Sequence, residues 1–314
     1  MNRFATWQLF GLAVLVWGTT WHAIVYQLAA MAPAWGVAAR FTLAAAAVLA
    51  LAAWRGERLR FGPAVHARLA LQGMFMYGLS YLCVYHAELH VPSGLVAVGY
   101  SASPLLAGVG AWMLWRTPLS RRFLAGGGLG IGGVALIFAP EIAQVGQRPS
   151  AALGLAYTVA AVALSAVGAL AASRNAVNRL PFWPSLGWGL AWGAATSTTL
   201  AALTLPWPGL PTAPSWWSSL AYLALAGTVL AFAAFLTLQQ RLGPGPAASI
   251  GVMTPVIALA VSTAFEGYRP GLWTLSGGAL AMAGNAMMLR RGAGAAGSVA
   301  TCERTPSSGP GREP

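Results

Sequence analysis

Ten long apolar runs, separated by short gaps rich in arginine and proline, organise this chain of 314 residues. A helix crosses the hydrocarbon core of a bilayer in about 20 apolar residues, and the runs have that length. They cover residues 6–28, 34–54, 67–88, 92–115, 122–140, 151–172, 183–205, 216–238, 245–265 and 270–289. Pro33, Pro63, Pro92, Pro118, Pro149, Pro181, Pro206, Pro244 and Pro270 punctuate them, as expected where helices start or stop. The pattern predicts an all-α integral membrane protein with ten transmembrane helices.

Arginine tests this segmentation independently, because cytoplasmic segments of membrane proteins are enriched in basic residues. With the N-terminus in the cytoplasm, every arginine falls in a cytoplasmic segment except Arg40, inside a run, and Arg148 and Arg269, outside. Both termini are therefore expected in the cytoplasm. The first run follows only Met1 to Ala5 and is succeeded by others, which does not fit a cleaved signal peptide. Residues 292–314, rich in Gly, Ala, Ser and Pro, are expected to form a disordered tail.

Composition narrows the chemistry. Charged residues make up 8% and hydrophobic ones 57%, and mean hydropathy is +0.65. All 18 basic residues are Arg and all six acids are Glu, which removes lysine-based phosphate binding, Schiff bases and aspartyl phosphates. Cys83 and Cys302 match neither a zinc spacing nor a structural disulfide. The net charge of +12 sits in short gaps and not on one solvated face, so membrane topology explains it and no nucleic-acid partner is expected. The Arg- and Ala-rich, lysine-free usage points to a bacterial inner (plasma) membrane, with lipid and a small-molecule solute as partners and no cofactor or metal.

Sliding the sequence by 151 residues lays Gly94 on Gly245, Ala97 on Ala248, Pro104 on Pro255 and Leu124 on Leu275. In the same gap-free frame Gly126, Gly127 and Gly133 fall on Gly277, Gly278 and Gly284. The shift crosses five runs, an odd number, so equivalent residues enter the membrane from opposite sides. This is an inverted repeat, a common plan among secondary transporters, with halves at residues 1–145 and 146–291.

The chain resembles the drug/metabolite transporter superfamily, in its ten-helix EamA-type branch. Trp17-Gly18, Arg40-Phe41, Pro104, Pro255, Glu266 and the glycines Gly126, Gly133, Gly277 and Gly284 carry the resemblance, which spans residues 6–290. It is most similar to bacterial amino-acid exporters, those for aromatic amino acids included. The resemblance implies two five-helix halves around a central cavity and export of small metabolites. One departure is Trp115, which stands where the repeat would place a counterpart of Glu266.

Candidate substrate-binding residues follow from helical spacing. Trp17, Thr20 and Trp21 share one face of the first run, as a cavity wall or as packing. Tyr77, Tyr81 and Tyr85 form a stripe at i, i+4 and i+8, and three hydroxyls on one face are expected to point inward, because burying each in hydrocarbon is costly. Such rings can stack on an aromatic solute, and Phe232, which the repeat lays on Tyr81, extends the lining. Tyr100, Ser101 and Ser103 precede Pro104, and Met253 and Thr254 precede Pro255. Each proline frees a carbonyl about four residues earlier and is expected to act as a hinge beside a binding site.

His86, Glu88 and His90 read H-x-E-x-H, better suited to a polar vestibule than to metal, with His86 deep enough to line a pathway. Arg40 could meet a substrate carboxylate, but lying only about 9 Å deep at about 1.5 Å per residue it is expected to snorkel to the outer interface. The remaining glutamates sit at run ends or in the tail, which favours downhill export, or coupling through histidine or the vestibule glutamates, over coupling through a membrane carboxylate. Trp216 joins the other tryptophans near run ends as an interfacial belt residue.

The best-fitting function is a secondary transporter of small apolar or aromatic amino acids. A nucleotide-sugar or lipid-precursor carrier on the same fold is the alternative, and an intramembrane hydrolase using Ser101 in Gly99-Tyr100-Ser101-Ala102-Ser103 is the rival of another class. The small-residue repeats Gly126-x-x-x-Gly130 and Gly277-x-x-x-Ala281 pack either the two halves of a monomer or a homodimer.

Overall fold

The computed structural model describes residues 4–116, 118–143, 149–177, 180–242 and 250–289. The expected tail and the boundary between the halves at 145/146 lie outside them. Among the described residues the chain is helical throughout, with no strand. Its helices are α1 (Thr6–Leu28), α2 (Pro33–Trp54), α3 (Pro63–Gly73), α4 (Ser80–Glu88), α5 (Ser93–Gly99), α6 (Ser103–Trp115) and α7 (Arg121–Ala143). They continue with α8 (Pro149–Val177), α9 (Phe182–Thr204), α10 (Pro214–Ala221), α11 (Ala231–Leu242), α12 (Ile250–Phe265) and α13 (Leu272–Leu289). Six stretches are long and apolar enough to cross a membrane: 6–28, 33–54, 93–115, 121–139, 150–175 and 214–238. Prolines open several helices, Pro33, Pro63 and Pro214 among them, where a missing N–H costs nothing.

Three apolar runs are broken internally where hydropathy reads each as a single helix. A π-helical segment, Met74–Leu79, joins α3 to α4, and a second, Tyr222–Leu230, joins α10 to α11. The 151-residue shift lays the first inside the second, at residues 225–230, so the two widened turns occupy equivalent places in the repeat. A 3₁₀ turn, Tyr100–Ala102, separates α5 from α6 immediately before Pro104. The second expected hinge differs: Pro255 lies inside α12, which runs unbroken from Ile250 to Phe265.

The glycines decide how the halves meet. A Cβ on Gly126 would stand 2.6 Å from the Gly284 carbonyl, and one on Gly133 would stand 2.5 Å from the Gly277 carbonyl. These two contacts exchange under the 151-residue shift, the reciprocity that a two-fold axis imposes on an interface. The Gly126 and Gly133 face of α7 therefore packs against α13 of the same chain, with backbones almost touching. Gly128, on the opposite side of α7, meets nothing within 4 Å. Elsewhere α2 lies along α9 and α1 against α12. Trp7, Trp54, Trp207 and Trp273 are exposed near helix ends, but Trp216 is not a belt residue: it is 1% exposed, in a small core with Met31 and Leu220. It turns inward because α10 packs beside α1 and α2.

Candidate functional site

Aromatic rings from both halves of the chain meet at the broken helices. Tyr77 and Tyr85 are 0% exposed, and Tyr81 is partly buried beside them. The ring of Phe41, from α2, lies 5.7 Å from Tyr77 and 4.8 Å from Tyr81. Phe232, opening α11, packs edge-on against both Tyr77 and Trp17 at 5.1 Å. Its partner in the stripe is Tyr77, one turn from the residue on which the repeat lays it. Trp21 leans on Tyr100 at 5.2 Å, and the Tyr100 hydroxyl meets Ser80 at 2.8 Å. Ser80 in turn donates to the Ala161 carbonyl at 2.9 Å, tying the cluster to α8.

The second π segment supplies polar contacts. Trp17 Nε1 donates to the Gly227 carbonyl at 3.1 Å, and Arg40 Nε donates to Thr228 Oγ1 at 3.1 Å. Gly227 has no side chain to spare, since a Cβ there would stand 2.5 Å from the Thr20 methyl and 3.5 Å from Arg40 Nη2. Thr20 is buried and returns its own hydroxyl to the Trp17 carbonyl at 2.9 Å. The Tyr85 hydroxyl donates to Gln27 Oε1 at 2.5 Å. Several buried polar atoms remain without a hydrogen-bond partner among the described residues: Trp21 Nε1, Arg40 Nη1, the Tyr77 hydroxyl, the Ser103 hydroxyl and both Glu88 oxygens. Unpartnered buried polar groups are rare in native folds.

Arg40 corrects the expectation of snorkelling. It is 1% exposed, and its guanidinium lies 4.7 Å above the Tyr81 ring. Depth counted along α2 said nothing about direction, and the side chain runs inward to the π segment, not outward to the interface.

Beside this cluster a polar clasp joins α1, α5 and α12. Glu266 Oε1 takes His22 Nδ1 at 3.0 Å, and its other oxygen accepts from the Ser93 backbone N–H at 3.2 Å and the Ser262 hydroxyl at 3.0 Å. The Ser93 hydroxyl also donates to this carboxylate. Partial burial pushes the Glu266 carboxyl up, but the Ser93, His22 and Ser262 hydrogen bonds outweigh it and hold the pKa below its ordinary value of 4.5. The clasp is therefore ionised at neutral pH. Its contribution is complete above about 4.5 and fades as pH falls through the depressed value. Glu266→Gln is expected to lose about 1–3 kcal/mol, the worth of hydrogen bonds to a charged group, and to flatten the acid branch of thermal stability in purified protein. Parallel acid branches in the variant and the wild type would remove Glu266 from the clasp.

The other candidates are placed as follows. His86 Nδ1 lies 2.7 Å from the Leu82 carbonyl, and the rings of His86 and His90 pack on Tyr157 at 5.2 and 6.2 Å. Ser101 is buried and donates to the Val98 carbonyl at 2.6 Å, while His22 is engaged with Glu266. The serine thus has no histidine hydrogen-bonded to it among the described residues. Thr254 is buried and bonds its own helix at the Ile250 carbonyl, whereas Met253 is 44% exposed. The π segments, Arg40's direction, the partners Gln27 and Thr228, and the clasp that Glu266 makes with His22, Ser93 and Ser262 were not legible in the sequence. Gln27 and Arg40, polar residues inside apolar runs, were the available signal.

A sequence profile matches this chain twice, over residues 6–139 and again over residues 152–290. The chain belongs to the EamA-like transporter family. This transporter is 28% identical to Protein PecM of Dickeya dadantii (strain 3937) over 260 residues, 81% of this chain and 82% of PecM. It is also 28% identical to Protein PagO of Salmonella typhimurium (strain LT2) over 105 residues, 33% of this chain and 34% of PagO. A crystal structure of a protein 21% identical to it superposes with a TM-score of 0.66, covering 90% of this chain and 96% of that one, and so shares its fold. The transporter is thus a multi-pass membrane protein of a family defined by transport.

Proposed function

We propose that this EamA-like transporter exports small apolar and aromatic amino acids across a bacterial inner membrane. Ten spans with both termini in the cytoplasm form two inverted five-helix halves, residues 1–145 and 146–291, which rock about the glycine-packed α7/α13 seam. The observation that carries the reading is the buried ring cluster at the two repeat-equivalent π turns, where Trp17, Phe41, Tyr77 and Tyr81 of one half meet Phe232 of the other. Its rings offer faces and edges to an aromatic solute, and its unpartnered Trp21 N–H and Tyr77 hydroxyl offer hydrogen bonds to a polar end. By the topology proposed here the Glu266 clasp lies at the outer end and holds it shut, so the form described is one end-state of alternating access.

The test is counterflow of labelled tryptophan, phenylalanine, leucine and threonine in proteoliposomes, with and without a pH gradient. Saturable uptake of the aromatic amino acids, at least tenfold faster than threonine and independent of the gradient, is the expected result. Absence of flux for all four in folded protein would transfer the site to another class of metabolite.

A further inference from the structure

The aromatic cluster does not account for Arg40. A buried cation is costly unless something neutralises it, and removing the partner of a buried charge leaves a large penalty. Arg40 is 1% exposed, its Nη1 has no hydrogen-bond partner, and no carboxylate lies within 4.0 Å of it among the described residues. The groups that face it are neutral: Thr228 on Nε, the Tyr81 ring at 4.7 Å, the Phe41 ring at 5.4 Å, and the hydroxyls of Tyr81 and Tyr85. Glu88, nearly two turns beyond Tyr81, interacts with the charge electrostatically, but neither of its oxygens is hydrogen-bonded to Arg40 or to anything else described. The guanidinium is thus oriented by Thr228 and the tyrosines, while its Nη1 is left without a hydrogen bond.

We infer that Arg40 receives the carboxylate of the transported solute. The inference rests on the proposed aromatic site and gives it an acidic end. Arginine suits the task because its planar fork can stack on Tyr81 while donating in-plane to a carboxylate, which the point charge of lysine cannot reproduce. With the acid end on Nη1, the solute's ring lies toward Phe41, Tyr77 and Phe232. The ligand class is an aromatic carboxylate, aromatic amino acids included. An amine with the same ring but no acid would set a second cation beside an unpaired one and is excluded by repulsion.

The experiment uses the full chain, with three probes beside tryptophan: indole-3-propionate, which keeps ring and carboxylate; tryptamine, which keeps ring and amine; and leucine, which keeps the carboxylate without an aromatic ring. Each is measured by thermal stabilisation of the purified protein and by counterflow in proteoliposomes. Tryptophan and indole-3-propionate are expected to stabilise the protein and to exchange, and tryptamine to do neither. Arg40→Lys is expected to weaken the carboxylates about tenfold or more, and Arg40→Gln at least about thirtyfold, as for loss of one partner of a buried charge pair. Arg40→Gln, which removes the repelling charge, is expected to admit tryptamine while it weakens the carboxylates, a gain that a merely structural role, which would lower all probes together, would not produce. If a variant fails to fold, the discrimination between indole-3-propionate and tryptamine by the wild type still decides. Tryptamine equal to tryptophan would overturn the inference and leave the aromatic site standing. Leucine equal to tryptophan, with tryptamine inert, would uphold the carboxylate contact and overturn the aromatic preference. No effect of any carboxylate would overturn both.

Discussion

Replacing Gly133 by leucine is expected to prevent stable assembly of the two halves, and even Gly133→Ala to cost about 1–3 kcal/mol, the usual range for overpacking. The reason is that the obstructing atoms are backbone. A Cβ at this position would come within 2.5 Å of the Gly277 carbonyl and the Ala281 amide nitrogen, neither of which can rotate away as a side chain would. Gly284, its repeat equivalent, faces α7 in the same manner, with a Cβ there 2.6 Å from the Gly130 nitrogen. Gly133→Ala and Gly284→Ala should therefore destabilise by similar amounts, read as thermal midpoints of the detergent-purified protein. Gly128→Leu, on the open side of α7, should be tolerated, because nothing lies within 4 Å and leucine favours a helix over glycine. Equal damage from Gly128→Leu and Gly133→Leu would mean that general intolerance of bulk in α7, not the seam, sets the effect.

Tyr81→Ala is expected to reduce transport of aromatic amino acids by about 30- to 300-fold, while Tyr81→Phe stays within a few-fold of the wild type. The ring edges onto Phe41 at 4.8 Å and supplies the face beneath the Arg40 guanidinium at 4.7 Å. An aromatic pair is worth about 0.5–1.5 kcal/mol beyond burial, and a desolvated cation–π contact about 2 kcal/mol. Phenylalanine keeps both, and alanine keeps neither. Tyr85 should behave differently, since its hydroxyl donates to Gln27 Oε1 inside the bundle. Tyr85→Phe would leave that buried oxygen short of a partner, at a cost of about 1–3 kcal/mol in stability. Initial rates of tryptophan counterflow together with thermal midpoints separate the two behaviours. Equal rates for Tyr81→Ala and the wild type would take Tyr81 out of the solute pathway.

Much of this architecture is legible because hydropathy and charge are local. Helix occupies each predicted apolar run over its described residues but for one or two at some ends, and Pro33, Pro63 and Pro214 open helices as their lack of an N–H allows. The inward direction of the tyrosine stripe follows from the cost of burying a hydroxyl against lipid, and Tyr77 and Tyr85 are fully buried. Spacing alone could not reveal that Tyr77 stands in a π turn, because the tyrosines keep the same intervals whether or not the helix widens between them. Pro104 and Pro255 look alike in sequence, yet a 3₁₀ turn precedes one while α12 continues through the other.

The amino-acid sequence by itself determined the membrane-spanning helical class, the internal repeat and the small-residue faces of α7 and α13, since each depends on residues close together in the chain or on a regular shift. Only the tertiary structure decided what the polar residues inside the apolar runs do. Arg40 meets Thr228 at a separation of 188 positions in the chain, Trp17 meets Gly227 at 210, and His22 meets Glu266 at 244. At such separations the direction of a side chain is set by how whole helices cross. Arg40 Nη1 is left without a hydrogen bond where α1, α2 and the π segment before α11 come together.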